Sequence, residues 1–400
     1  MTNDNADQLS AILSRPANWV DVRPAGEVIP ELGPRSYLHA GPRWLGGTMP
    51  GPMRGGLIAG LLFEGEATDE AEANEILDAG EIGLTPCQDA RVAGPLTGIV
   101  TPSTPVLVIE HSDGATCFAP LHEGDRGGMR AGMFDDTTIT RLHRLADVIA
   151  PALAQALRRR GPIDVTAMQS SGLRRGDECH NRNIACTSAL LMELAPQLAR
   201  VGDAAAAAFD YFAETSQLFI SLSAGAAKAT AEVVHRSGVR GIVTGVGMNG
   251  VDFGIRVSGL DGWWTAPSPT GPMSPLDGGD ITQASPGQGD SPIIESIGLG
   301  AFSLTAAPAL AEAFGLTMTE ARAVVAELRQ ICAVESPVFQ LPDDDFRGAP
   351  ALIDVRRVSE LGVVPRTTLG FMHRSPGAGR VGFGVIPMPL EPFEQAAAVL

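Results

Sequence analysis

A chain of 400 residues with 44% hydrophobic side chains is long enough for two or three domains around sizeable cores. Its 29 basic against 46 acidic residues leave a formal charge of −17, which excludes a broad electrostatic footprint on nucleic acid or on an anionic membrane. The cysteines, Cys87, Cys117, Cys179, Cys186 and Cys332, are odd in number and lack CxxC spacing, so neither a disulfide framework nor a zinc ribbon is indicated and a reducing compartment fits.

The N-terminal stretch is acidic and polar without an apolar signal core, and no run approaches the length of a membrane span, so a cytoplasmic location is expected. Between Gly41 and Gly65, Gly-Pro turns lead into an apolar run at 57–63 that predicts a buried helix packed through small residues, with Arg54-Gly55-Gly56 near its start. Segments 98–101 and 106–110 read as strands broken by Pro102 and Pro105, which makes 1–134 a mixed α/β lobe. Asp135-Asp136-Thr137-Thr138 then carry capping chemistry for a helix over 139–160, apolar at Leu142, Leu145, Ile149, Leu153 and Leu157 and bent or divided at Pro151. Further helices are predicted at about 184–200, 203–214 and 222–236, so that 135–238 forms an α-helical domain.

The last lobe, 239–400, returns to a mixed pattern. Strands at 242–244 and 253–257 flank the tight-turn dipeptide Asn249-Gly250. Residues 265–292, rich in Pro, Gly, Ser and Asp, read as an ordered loop over a site or a mobile lid. A small-residue helix over 303–314 is interrupted by Pro308, an amphipathic helix over 317–332 is capped by Thr319-Glu320, and short strands fall around Ile353 and 381–386. The expected class is α/β (α+β): mixed α/β lobes with a central α-helical domain.

Chemistry is densest in Gly176-Asp177-Glu178-Cys179-His180-Asn181-Arg182-Asn183. Polar groups withdrawn from water without partners cost roughly 1–3 kcal/mol each, so this octet is expected to lie partly open, facing a cavity. Asp177 is expected to cap the following helix, whose N–H groups would face an anion. His180 suits proton donation or shuttling, with Asp177 or Glu178 fixing its tautomer, and these three form the candidate catalytic set. Asn181 and Asn183 offer neutral donors and acceptors, and Arg182 a fork for carboxylate or phosphate. Arg54, Asn249, Arg256, Trp264, Asp290, Ser291 and Glu295 complete the expected substrate-binding residues, and the regions of His180, Asn249 and Asp290 are expected to share one hollow. Each has a plainer reading: the arginines as ion-pair partners, the acids as helix caps, the tryptophan as a packing anchor. Adjacent side chains seldom converge on one ion, so no metal is expected, and the strand pattern after Gly245-Val246-Gly247 argues against a dinucleotide cofactor.

The octet is followed by Asn249-Gly250-Val251-Asp252-Phe253-Gly254-Ile255-Arg256-Val257-Ser258-Gly259, Trp264-Thr265-Ala266-Pro267 and Gly289-Asp290-Ser291-Pro292-Ile293-Ile294-Glu295-Ser296. Then come Gly298-Leu299-Gly300-Ala301-Phe302 and Ala306-Ala307-Pro308-Ala309, while His39-Ala40-Gly41-Pro42, Phe63-Glu64-Gly65 and Thr85-Pro86-Cys87 stand upstream. In order and interval these motifs resemble the AllG/YlbE-like family over about residues 36 to 395. The resemblance implies an enzyme, or a subunit of one, similar to the oxamate carbamoyltransferase of allantoin catabolism, a branch of purine degradation and nitrogen metabolism. It implies a small anionic ureido or amide substrate such as oxamate or oxalurate, carbamoyl phosphate or phosphate, and FdrA-like and YlbF-like partner subunits; a homo-oligomer is also expected. Two departures stand out: full-length relatives carry an extra N-terminal lobe that this chain lacks, and Gln88-Asp89-Ala90-Arg91 replace a histidine-rich stretch. Carbamoyl transfer needs no covalent nucleophile, only anion holders and donors to a developing oxyanion. An amidohydrolase or lyase on a related carbamoyl compound, and a noncatalytic assembly subunit, are the alternative readings.

Overall fold

Strand Ala17–Pro24 lies at the centre of an antiparallel sheet, between Pro105–His111 and the short Ile163–Asp164, with Ala115–Pro120 at the far edge. The structure is a computed structural model that describes residues 2–125, 127–276 and 278–400. Helix Phe219–Arg236 packs across the sheet, and its run of Ala, Gly and Ser lets it approach closely: a Cβ on Gly225 would sit 2.8 Å from Ile109 Cγ1. Around it gather helices Asn3–Leu13, Ala150–Arg160, Val165–Leu173 and Ile184–Leu198. Their buried faces form the largest core, which takes Trp19 and Ile109 from the first lobe, Leu153 and Leu222 from the helical segment, and Ile294 and Leu341 from the last. That cluster draws on all three predicted segments, 1–134, 135–238 and 239–400.

A second antiparallel sheet orders Gln288–Gly289, Val243–Asn249, Asp252–Val257 and Trp264–Pro267. Pairs Cys332–Leu341 with Arg347–Ile353 and Arg366–Met372 with Arg380–Pro387 complete the C-terminal part, the latter extended by Ser274–Pro275. Strands Ser36–His39 and Gly83–Pro86 run parallel beside helices Gly51–Phe63 and Glu70–Asp78. Helices with several small sheets make this a mixed α/β chain, as expected. Among the described residues no helix is long and apolar enough to cross a membrane.

Several elements differ from expectation for identifiable reasons. The chain stays helical through Pro151: Asp136–Arg144 passes into Ala150–Arg160 through a π turn at Leu145–Ile149, which absorbs the missing N–H and the ring. Segment 98–101 forms only an isolated bridge, Val100 to Leu38, because Gly98 at φ 66° breaks the extended run. The cap of Met318–Gln330 is Thr317, not Thr319, in a reciprocal box with Glu320 three residues on. Pro308 opens the short helix Pro308–Ala313 after a 3₁₀ segment, Gly300–Ala306, rather than interrupting one helix. The Pro/Gly-rich stretch carries the short strands Trp264–Pro267, Ser274–Pro275 and Gln288–Gly289 and is tied down by Ser268 N–H to Val251 O, Gly287 N–H to Pro269 O and Ser285 N–H to Met372 O, each 2.8–2.9 Å. Helix Asn3–Leu13 and strands 17–24, 332–341 and 366–372 had no prediction.

Candidate functional site

The octet is folded around its own carboxylates. Glu178 Oε1 accepts the Asn181 and Arg182 N–H groups at 2.5 and 3.2 Å, while Oε2 accepts the N–H of His180. Asp177 Oδ2 accepts the Cys186 N–H at 2.7 Å and so caps helix Ile184–Leu198 from six residues before Asn183, which occupies the N-cap position without capping. Asn183 Nδ2 instead donates to the His180 carbonyl at 2.6 Å. These internal bonds let Asp177, Glu178, Cys179, His180 and Asn183 be buried, although Asp177 Oδ1, Asn181 Nδ2 and Asn183 Oδ1 lack hydrogen-bond partners among the described residues, and the octet is open only where Gly176, Asn181 and Arg182 are half-exposed. Burial pushes the Glu178 carboxyl up to about 7 and raises Asp177 as well.

Neither of those acids meets the His180 ring. Its Nδ1 lies 2.8 Å from Oε1 of Glu295, which also accepts the Thr368 N–H at 3.0 Å. Burial alone would lower the imidazole, but the Glu295 carboxylate, with Glu178 behind it, more than offsets this and holds it above its ordinary value. Nδ1 is thus committed to the acid, and Nε2 is the ring nitrogen left for the cavity that His180 lines.

That cavity, of roughly 420 Å³, brings together His180, Asn181, Arg182 and Ser291 from the expected residues. It adds His122, Arg130 and Arg380, which sequence reasoning missed, and an apolar wall that includes Leu276, Leu310 and Phe383. Arg130 is buried; its Nη2 donates to Gly124 O at 3.0 Å, but its Nε has no partner among the described residues. Arg380 is held down to about 10 by burial and by the neighbouring Arg130, and its Nε is likewise buried without a partner among the described residues. Both arginines close glycine-rich turns, 127–130 and 376–380, and the Gly377 N–H donates to Gly132 O at 2.8 Å to hold the turns together. An arginine ending each of two such turns was the available signal.

The remaining expected residues are engaged elsewhere. Asp290 is a buried hub: Oδ1 accepts the Gly41 N–H at 2.8 Å and Gln88 Nε2 at 3.2 Å, Oδ2 accepts the Gly94 N–H at 3.1 Å, and burial pushes it up to about 7. A Cβ on Gly247 would fall 2.3 Å from Oδ1, so the strand can pass only as glycine. Gln88 also donates to Val246 O at 2.6 Å. Asn249 closes its turn by accepting the Val251 and Asp252 N–H groups at 2.9 and 2.7 Å. Arg54 ties to Asn74 and Asp78 at 2.8 Å, and Arg256 lies 3.8 Å from Asp89 and 4.0 Å from Glu232. Trp264 packs against the C-terminal core. None of Asp290, Asn249, Arg54, Arg256 or Trp264 lines the cavity, so the hollow reaches Ser291 beside Asp290 but not the Asn249 region. Among the described residues no three His, Cys, Asp or Glu side chains are grouped to hold a metal ion.

In this mixed α/β chain cationic and imidazole groups converge in one cavity. Residues 82–291, which include the octet and the 127–130 turn, match the family model for the oxamate carbamoyltransferase subunit AllG. Over 405 aligned residues the chain is 39% identical to the oxamate carbamoyltransferase subunit AllG of Escherichia coli (strain K12), covering 99% of this chain and 96% of that protein. It is 32% identical to the uncharacterized protein YahG of the same organism, over 98% of this chain and 84% of YahG. A crystal structure of a conserved protein of unknown function from Enterococcus faecalis V583 superposes with a TM-score of 0.94 at 33% identity, over 99% of this chain and 96% of that one. The chain belongs to the AllG family. Coverage of 96% of AllG leaves no room in that relative for an extra lobe of several dozen residues, whereas 16% of YahG lies outside its match to this chain.

Proposed function

We propose that this chain is a carbamoyl-transferring subunit whose reaction takes place in the His180 cavity, with oxamate and carbamoyl phosphate on one side of the equilibrium and oxalurate and phosphate on the other. The observation that carries this reading is a cavity of concentrated positive charge in a chain of net charge −17, with an acid-braced histidine on its wall. In the synthetic direction the oxamate amide nitrogen attacks the carbonyl carbon of carbamoyl phosphate. The bond to the phosphate oxygen breaks, phosphate leaves with the electron pair, and the nitrogen loses a proton. In reverse, a phosphate oxygen attacks the ureido carbonyl of oxalurate, the C–N bond breaks, and His180 Nε2–H delivers the proton that the departing nitrogen requires. Arg182, half-exposed at the rim, suits the substrate carboxylate, and Asn181 suits the ureido group. FdrA-like and YlbF-like subunits are the proposed partners, in a cytoplasmic complex.

The test is oxalurate cleavage by the chain purified with those partners, with and without phosphate. Phosphate-dependent release of oxamate that falls about 100-fold or more in His180→Ala supports the proposal. Cleavage without phosphate would make it an amidohydrolase, and full activity in His180→Ala would remove His180 from the chemistry.

A further inference from the structure

Within the cavity, the Arg130–Arg380–His122 end is built unlike the rest. Burial disfavours the charge of both guanidiniums, Arg130 adds to that pressure on Arg380, and each keeps a buried Nε–H without a partner among the described residues. Like charges are seldom buried side by side unless something neutralises them. Glu123 and Asp125 lie near enough to favour the Arg130 charge, and Asp125 that of Arg380, but neither acid hydrogen-bonds a guanidinium: Asp125 accepts from Ser216 N and Oγ at 2.9 and 2.5 Å and from Gln217 N at 3.3 Å, and Glu123 Oε1 accepts the backbone N–H of Arg130 at 3.0 Å while its Oε2 has no partner among the described residues. His122 is oriented from behind. Its Nδ1 receives the Gly124 N–H at 3.1 Å, so the proton of the neutral ring sits on Nε2. Burial and the two arginines keep that ring well below its ordinary pKa, so it stays a neutral donor.

We propose that Arg130, Arg380 and His122 form a subsite for a phosphoryl dianion, with the two guanidinium forks and the His122 Nε2–H as its donors. Two forks and one neutral N–H fit a tetrahedral group with several oxygens better than a planar carboxylate. The assignment rests on the transfer reading only for its meaning in catalysis. The subsite itself binds inorganic phosphate whether or not transfer occurs.

The test is calorimetric titration of the purified full chain with inorganic phosphate, alongside acetate as a planar control, for the parent, Arg380→Gln, Arg380→Lys and His122→Gln. Phosphate should bind the parent in preference to acetate, and Arg380→Gln should weaken it roughly ten- to hundredfold. Arg380→Lys, which keeps the charge but loses the fork, should fall between, and His122→Gln, which keeps a donor near Nε2, should weaken binding less than Arg380→Gln. Melting without phosphate separates this role from a structural one. Removing an unpaired, repelled guanidinium should leave Arg380→Gln at least as stable as the parent, whereas a structural arginine would cost stability. No phosphate binding by the parent, or undiminished binding by Arg380→Gln, overturns the subsite. Phosphate binding lost in Arg380→Gln without any carbamoyl transfer in the complex would retain the subsite and discard the transfer reading.

Discussion

His180 owes its proposed role to one carboxylate. Burial drives the imidazole toward neutrality, and Glu295, 2.8 Å from Nδ1, reverses that pressure. Glu295→Gln leaves the shape while removing the charge, so the His180 pKa should fall. If the imidazolium is the proton donor for oxalurate cleavage, the alkaline limb of the kcat–pH profile should move to lower pH. An unmoved limb with a merely lower rate would assign Glu295 a packing role. The octet's own acids hold backbone N–H groups, which keeps Glu178 and Asp177 from hydrogen-bonding the ring while setting the turn from which His180 projects.

At the scale of elements, the cavity depends on pieces that end where they must. Helix Ile184–Leu198 is capped by Asp177 across the octet, so the turn and the helix stand or fall together. Helix Met318–Gln330 carries a capping box at Thr317, which does not itself line the cavity, and Thr317→Ala should cost about 1 kcal/mol in urea unfolding with phosphate affinity unchanged. A loss of phosphate affinity would show that this helix is coupled to the cavity. The π turn at Leu145–Ile149 similarly lets one helical run accommodate Pro151 with its apolar face still on the core.

Across the whole molecule, buried acids set a pH dependence. Asp290 and Glu178 release their protons near 7 when folded and near roughly 4 when unfolded. Between those values the folded state binds more protons, so their contribution to stability is complete below about 4 and is lost as pH rises toward 7. Asp290→Asn removes one of these groups, and its stability should fall less steeply than the parent's over that window in denaturant titrations at successive pH values. Parallel profiles would mean that Asp290 does not titrate there. Because Asp290 joins the Gly41, Gln88 and Gly94 loops to the Val243–Asn249 strand, this variant should also lower stability near pH 4.

By itself the sequence determined what is local and periodic. The helices of the middle segment follow from their apolar spacing, the Asn249-Gly250 hairpin from its turn residues, and the octet from its density of polar groups; its family motifs were legible as well. Only the tertiary structure decided which groups meet. His180 and Glu295 are 115 residues apart, and Arg130 and Arg380 reach one cavity from two glycine-rich turns that nothing in their spacing relates. An arginine set for an anion is distinguished from an arginine in an ion pair by the partners around it in space. Arg54 and Arg256 find such partners and Arg380 finds none among the described residues, a difference that appears only when distant segments pack.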